Sequence, residues 1–153
     1  MTRNEMLIKV ATLSDQDVVA ATIWGEARGQ ENAGMIAVAR VIHNRMIGKE
    51  FARTYRAVCL ARNQFSCWRG DDPNLPKMLA ELKKRDAGRD MDYARGLAAS
   101  LVFNFQPGFL DITGGATFYK VHNHPSSWFS RKIKEGKLVH SVRIGAHDFY
   151  KLG

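Results

Sequence analysis

The sequence predicts an α+β fold that is mainly helical, with a small β element near its C-terminus, and two observations carry the prediction. Apolar residues recur at helical spacing, between capping and stop residues, through the first two thirds of the 153-residue chain. Beyond Pro107 short alternating stretches replace them.

Ser14-Asp15-Gln16-Asp17 reads as a variant capping box that opens a helix ending near Arg28-Gly29. Asn32 is expected to cap a second helix over 33–47, with Ile36, Ala39, Ile42 and Met46 on one face and Gly48 as its stop. A short helical turn is predicted over 54–60. Residues 61–77, carrying Asn63, Gly70, Asp71-Asp72-Pro73 and Pro76, read as loop. A third helix follows over 75–87. A fourth over 90–105 turns Leu97, Leu101 and Val102 to a core and stops before Pro107-Gly108. Gly114-Gly115 then precedes a strand over 116–121. His122 to Trp128 reads as loop, and 139–150 supplies a second and third strand.

A hydrophobic content of 45% with 25% charged residues is ordinary globular composition, and the length suits a single domain over 1–153. The longest apolar run falls far short of the ~18 residues that span a bilayer. Met1 to Met6 leads into only a short apolar patch, so no Sec signal peptide is expected and synthesis is placed in a bacterial cytoplasm. The net charge of +8 and pI near 9.8 favour polyanionic partners: nucleic acid, anionic lipid or wall polymer. Small basic clusters stand at Lys83-Lys84-Arg85 and Arg131-Lys132-Ile133-Lys134. Cys59 and Cys67 complete no zinc site; a disulfide and two packed thiols both remain open.

The most informative acid is Glu26, in Trp24-Gly25-Glu26-Ala27-Arg28-Gly29 at the end of the apolar run Val18 to Ile23. A carboxyl beside an indole at the edge of a core loses hydration, which disfavours its charged form and suits a general acid. Taken alone, Glu26 reads more readily as a solvated acid just past a buried turn. Two further islands argue otherwise: Asn63-Gln64-Phe65-Ser66-Cys67-Trp68, and Gly115-Ala116-Thr117-Phe118-Tyr119 extending to His124-Pro125 and Trp128. One acid, several amides and hydroxyls, and several rings are what a carbohydrate groove needs.

Trp24 to Gly29, followed by Gly34-Met35-Ile36-Ala37-Val38-Ala39-Arg40-Val41-Ile42-His43-Asn44-Arg45, resembles the opening of the SleB-type cell-wall hydrolases, the spore-cortex-lytic enzyme family. Gln64-Phe65-Ser66-Cys67-Trp68 is similar to that family's second motif. Gly115 to Tyr119 and Ile144-Gly145-Ala146-His147-Asp148-Phe149-Tyr150 are similar to its C-terminal motifs. The resemblance spans about residues 15–150. It implies a lysozyme-like, lytic-transglycosylase-like fold and cleavage of peptidoglycan glycan strands, with Glu26 as catalytic acid and Gln64, Ser66, Trp68, Thr117 and Tyr119 lining the substrate groove. Many members carry a His on either side of the Tyr in the third motif; here those positions hold Phe118 and Lys120. No metal and no cofactor are assigned, and His122 and His124 are read as satisfied or exposed loop residues.

An ordinary glycosidase needs two carboxyls, whereas a lytic transglycosylase needs one that acts as acid and then as base. Glu31, Asp71, Asp72, Asp111 and Asp148 lack surroundings like those of Glu26, which favours the one-carboxylate route over a lysozyme-type muramidase. A compact basic lysin of this kind suits a phage or prophage endolysin: a monomer that acts at the cell wall on peptidoglycan, held there by anionic outer-membrane lipid or wall polymers. The competing class is a non-enzymatic basic module that binds nucleic acid or wall. Nucleic acid is not expected, because the basic residues do not concentrate in the aromatic islands and no nucleic-acid motif appears.

Overall fold

The computed structural model describes every residue of 1–153 except Arg85, Ala87, Phe105 and Gln106. Helix α1 (Arg3–Val10) leads into α2 (Asp15–Ala27), the axis of the fold. Val18, Val19, Ala20, Ala21, Thr22 and Ile23 are all fully buried. A helix apolar on every side has to be surrounded. Around it stand α3 (Asn32–Ile47), α4 (Tyr55–Leu60), α5 (Leu75–Lys83) and α6 (Arg89–Asn104). Each fully buried Val or Ile contributes about 1.5–3 kcal/mol, so α2 anchors whatever its end carries.

The predicted cap at Ser14 forms, accepting the Asp17 N–H at 3.1 Å, and the helical turn expected over 54–60 is α4, capped by Thr54, which accepts the Ala57 N–H at 3.1 Å. Asn32 is instead the first helical residue of α3, with Glu31 at the cap position and no side-chain cap bond. Helix α1 was not expected: of its eight residues only Met6 and Val10 are buried, too few to show a period. A 3-10 turn at Ser66–Trp68 lies where loop was expected, and helix α7 (Ser127–Lys134) starts in the stretch read as loop and continues through residues given no assignment. The far ends of the helices expected over 75–87 and 90–105, and Arg85 of the basic cluster, fall on or beside residues outside the described set.

Strands β1 (Phe118–Val121), β2 (Leu138–Ile144) and β3 (His147–Leu152) form an antiparallel sheet in the order β1-β3-β2. The register pairs Phe118 with Tyr150 and Tyr119 with Phe149, and a bulge at Ser141 shifts β2. Alternation then sorts the sheet into two faces. Tyr119, Phe149, Val142 and His147 share one face, and Phe149 packs there on Ala37 and Val41 of α3. Phe118, Tyr150, Leu138 and Leu152 share the other, which carries α7.

Candidate active site

Glu26 occupies the last turn of α2, half-buried. Two residues along a helix turn the side chain by about 200°, so Trp24 faces away from the acid. Its indole is 7% exposed in the main core, with the Arg28 guanidinium 4.7 Å from the ring centroid. The expected indole wall beside the acid is therefore absent; hydrogen-bond donors from two other parts of the chain surround Glu26 instead.

The first set comes from the turn at Ser66–Trp68. Thr22 and Glu26 lie one helical turn apart on the same face. Trp68 Nε1 donates to Thr22 Oγ1 at 2.8 Å, and one turn further Cys67 N donates to Glu26 Oε2 at 3.2 Å. Ser66 Oγ sits 3.5 Å from the same oxygen. This approach needs Gly25: a Cβ there would lie 2.8 Å from both Cys67 Cβ and Met78 Sδ. Gly29, at φ +82°, meets the separate demand of turning the chain out of the helix.

The second set comes from β1. The Tyr119 hydroxyl donates to Glu26 Oε1 across 93 positions of sequence. Burial and the neighbouring Glu26 carboxylate push the Tyr119 phenol well above its ordinary range, so it stays a donor. The loop before β1 is fixed by Asp111, which accepts from Thr113 N at 2.9 Å, Gly115 N at 3.0 Å and Asn44 Nδ2 at 3.1 Å.

Behind this pair lies Arg45, 3% exposed, its guanidinium 4.8–5.4 Å from the ring centroids of Phe65, Phe118 and Phe51. Its Nε donates to the Thr117 carbonyl at 2.6 Å, while Nη1 has no hydrogen-bond partner among the described residues. Burial lowers its pKa, and Tyr119, Cys59 and Glu26 pull it back; a guanidinium stays charged here. His147 meets the Tyr119 ring edge-on at 5.3 Å, and burial pushes its pKa down.

A groove of about 500 Å³ opens over Glu26, lined also by Arg45, Gln64, Ser66, Asp72, Tyr119 and His147. Of the residues singled out in the sequence, Glu26, Gln64, Ser66 and Tyr119 come together along this groove. Trp68 and Thr117 do not line it. Trp68 is 3% exposed and serves as the peg that holds the Ser66–Trp68 turn on α2; Thr117 is 7% exposed and presents its carbonyl to Arg45.

Of the other acids, Asp111 fixes its loop and Asp148 accepts from His122 at 2.6 Å and His140 at 3.0 Å. Asp72, read as a turn residue, does accept from Asn74 N at 2.8 Å but also lines the groove. Arg45, His147 and Asp72 were missed as site residues. All three lay in or beside quoted motifs, but only packing turns them toward Glu26. Cys59 and Cys67 are free, buried thiols; burial raises the first to about 12 and the second well above its usual value. Neither suits a nucleophile.

The same fold occurs in known proteins. The chain superposes on the catalytic domain of the germination-specific lytic transglycosylase SleB from Bacillus anthracis with a TM-score of 0.61, at 25% identity, covering 92% of this chain and 96% of that one. The catalytic domain of the Bacillus cereus SleB protein matches with a TM-score of 0.61 at 24% identity, over 90% of this chain and 89% of that one. No curated protein matches the sequence. A family model described as cell wall hydrolase matches residues 29–150, a span that begins just past Glu26 and takes in the Ser66–Trp68 turn, β1, β2 and β3 as far as Tyr150. The chain belongs to the cell wall hydrolase family, of the SleB type.

Proposed function

We propose that this protein cleaves the glycan strand of peptidoglycan between N-acetylmuramoyl and N-acetylglucosaminyl residues as a lytic transglycosylase, with Glu26 as acid and then base. The observation that carries the reading is the holding of the Glu26 carboxyl within an open groove, Oε1 by Tyr119 and Oε2 by Cys67 N. With Oε1 taken by the Tyr119 hydroxyl, Oε2 carries the reactive proton, its contacts to Cys67 N at 3.2 Å and Ser66 Oγ at 3.5 Å leaving a lone pair for it. In the first step that proton passes to the glycosidic oxygen as the bond to the muramoyl C1 breaks. In the second, the muramoyl C6 hydroxyl attacks C1 and returns its proton to Oε2, which closes the 1,6-anhydro ring and restores the acid. Tyr119 keeps its own proton throughout and fixes the carboxyl's orientation. Arg45 supplies positive charge behind the pair while carboxylate is present. Gln64, Ser66 and Asn63 offer amide and hydroxyl groups along the groove to sugar hydroxyls and N-acetyl groups.

The presence of Asp72 in the groove favours one second reading, a muramidase in which Asp72 activates water. Mass spectrometry of products from purified cell wall separates the two. Transglycosylation leaves anhydro-muramoyl ends and survives Asp72→Asn; hydrolysis leaves reducing ends and does not. An active Glu26→Gln protein overturns both.

A further inference from the structure

The face of the sheet turned away from Glu26 has a character of its own. It carries α7, Ser127–Lys134, an amphipathic helix with no buried residue. Trp128 and Phe129 rest on Phe118 and Tyr150, at ring separations of 5.3 and 5.1 Å, yet Trp128 remains 38% and Ile133 43% exposed. Between α7 and the sheet a cleft of about 350 Å³ is lined by Phe118, Trp128, Leu138 and Leu152, with Lys132, Lys137 and Glu50 beside them. Its depth is apolar, since Leu138 is 3% exposed, and the Lys137 side chain at its rim is 62% exposed. From Ser127 to Lys137 the sequence holds Arg131, Lys132, Lys134 and Lys137 against the single acid Glu135.

We infer that this face docks the protein on an anionic phospholipid surface, with Trp128, Ile133 and Leu152 entering the acyl boundary and the four basic side chains meeting headgroup phosphates. A short helix with a Trp, an Ile and flanking cations is built to lie in such an interface. Charge complementarity selects anionic over neutral lipid. A sugar ring is a poor occupant, because Trp128 already meets Phe118 and Phe129, and Lys132 sits 5.8 Å over its ring. Nucleic acid offers exposed Ile133 and Leu152 no hydrocarbon to enter. Because Phe118 and Tyr119 point to opposite faces of β1, docking here leaves the Glu26 groove open.

The test is co-sedimentation of the intact protein with vesicles of phosphatidylglycerol and phosphatidylethanolamine, and separately of phosphatidylcholine, which contain no peptidoglycan. Trp24 and Trp68 are buried, so a blue shift of tryptophan emission on binding reports Trp128. The expected result is binding to the anionic vesicles with a blue shift, at least ten-fold weaker on neutral lipid and at least ten-fold weaker for Arg131→Glu/Lys134→Glu. That variant should melt like the parent and clear purified cell walls at an unchanged rate. Equal binding to neutral vesicles, binding indifferent to the charge reversal, no shift of emission, or retention on DNA or bare cell wall but not on vesicles overturns the inference. None of these outcomes depends on whether the groove cleaves glycan.

Discussion

The two faces of the three-stranded sheet are built from alternate residues of the same strands and differ in how they are covered. The face holding Tyr119 and Phe149 packs on α3 at its centre, where Phe149 is 1% exposed. The face holding Phe118 and Leu152 is covered by an eight-residue helix with no buried residue. Neighbouring positions on one strand therefore serve opposite ends: Tyr119 needs a rigid backing to hold Glu26 in place, whereas Phe118 underlies a surface with apolar groups still open to solvent. Rigidity at the site comes from which side of the pleat a residue falls on.

The comparison breaks most severely at the acid. Glu26→Gln should leave the melting temperature close to that of the parent and lower wall clearing by about 10²–10⁴-fold or more, read as turbidity loss of purified cell walls. Tyr119→Phe removes the donor on Oε1 without removing the ring, and a loss of about 10²-fold in kcat is expected with the melting curve little changed. The backing can be tested by packing alone. Phe149→Ala should cost about 3–5 kcal/mol, whereas Trp128→Ala, on the open face, should cost about 1 kcal/mol; denaturant unfolding of the two variants measures the difference, and equal costs would erase the contrast. Gly25→Ala forces Cys67 and Met78 apart, with a penalty of about 1–3 kcal/mol and a lower kcat, since the Cys67 N–H bond to Glu26 moves.

The smallest effect is one of pH. Burial lowers the pKa of His43 and His147, so the unfolded chain takes up protons that the folded chain refuses. Their stability contribution is complete above the ordinary histidine value of about 6.5 and falls as pH drops below it. Asp148 acts further down: burial opposes its ionisation, but hydrogen bonds from His140 and His122 outweigh that and hold it below its usual range. Its contribution is present above about pH 3.9 and is lost as pH falls through the lowered value. The melting temperature should fall between pH 7 and 5, with a shallower slope in His147→Gln.

The helical core was legible because its signals are local. The apolar run of α2, its Ser14 cap and the spacing in α3 each depend on residues within a turn or two of one another. Helix α7 was not legible, since its apolar residues take their meaning from Phe118 and Tyr150 on another element. The candidate site divides along the same line. Glu26 at the end of a buried helix, and Gln64, Ser66 and Tyr119 in their motifs, could be picked out from the chain. The inward turn of Trp68 and Thr117, and the convergence of Arg45, Asp72 and His147, could not.

By itself the sequence determined an α2 that must be enclosed, an acid at its end and a glycine before that acid. Only the tertiary structure decided what the glycine and the acid are for. Gly25 is small because Cys67 comes against it, and Glu26 is held by a tyrosine 93 positions away. The physical reason is one of range: caps and periodicity act over a few residues, while a hydrogen bond between a helix end and a strand exists only once the core has brought both to the same place.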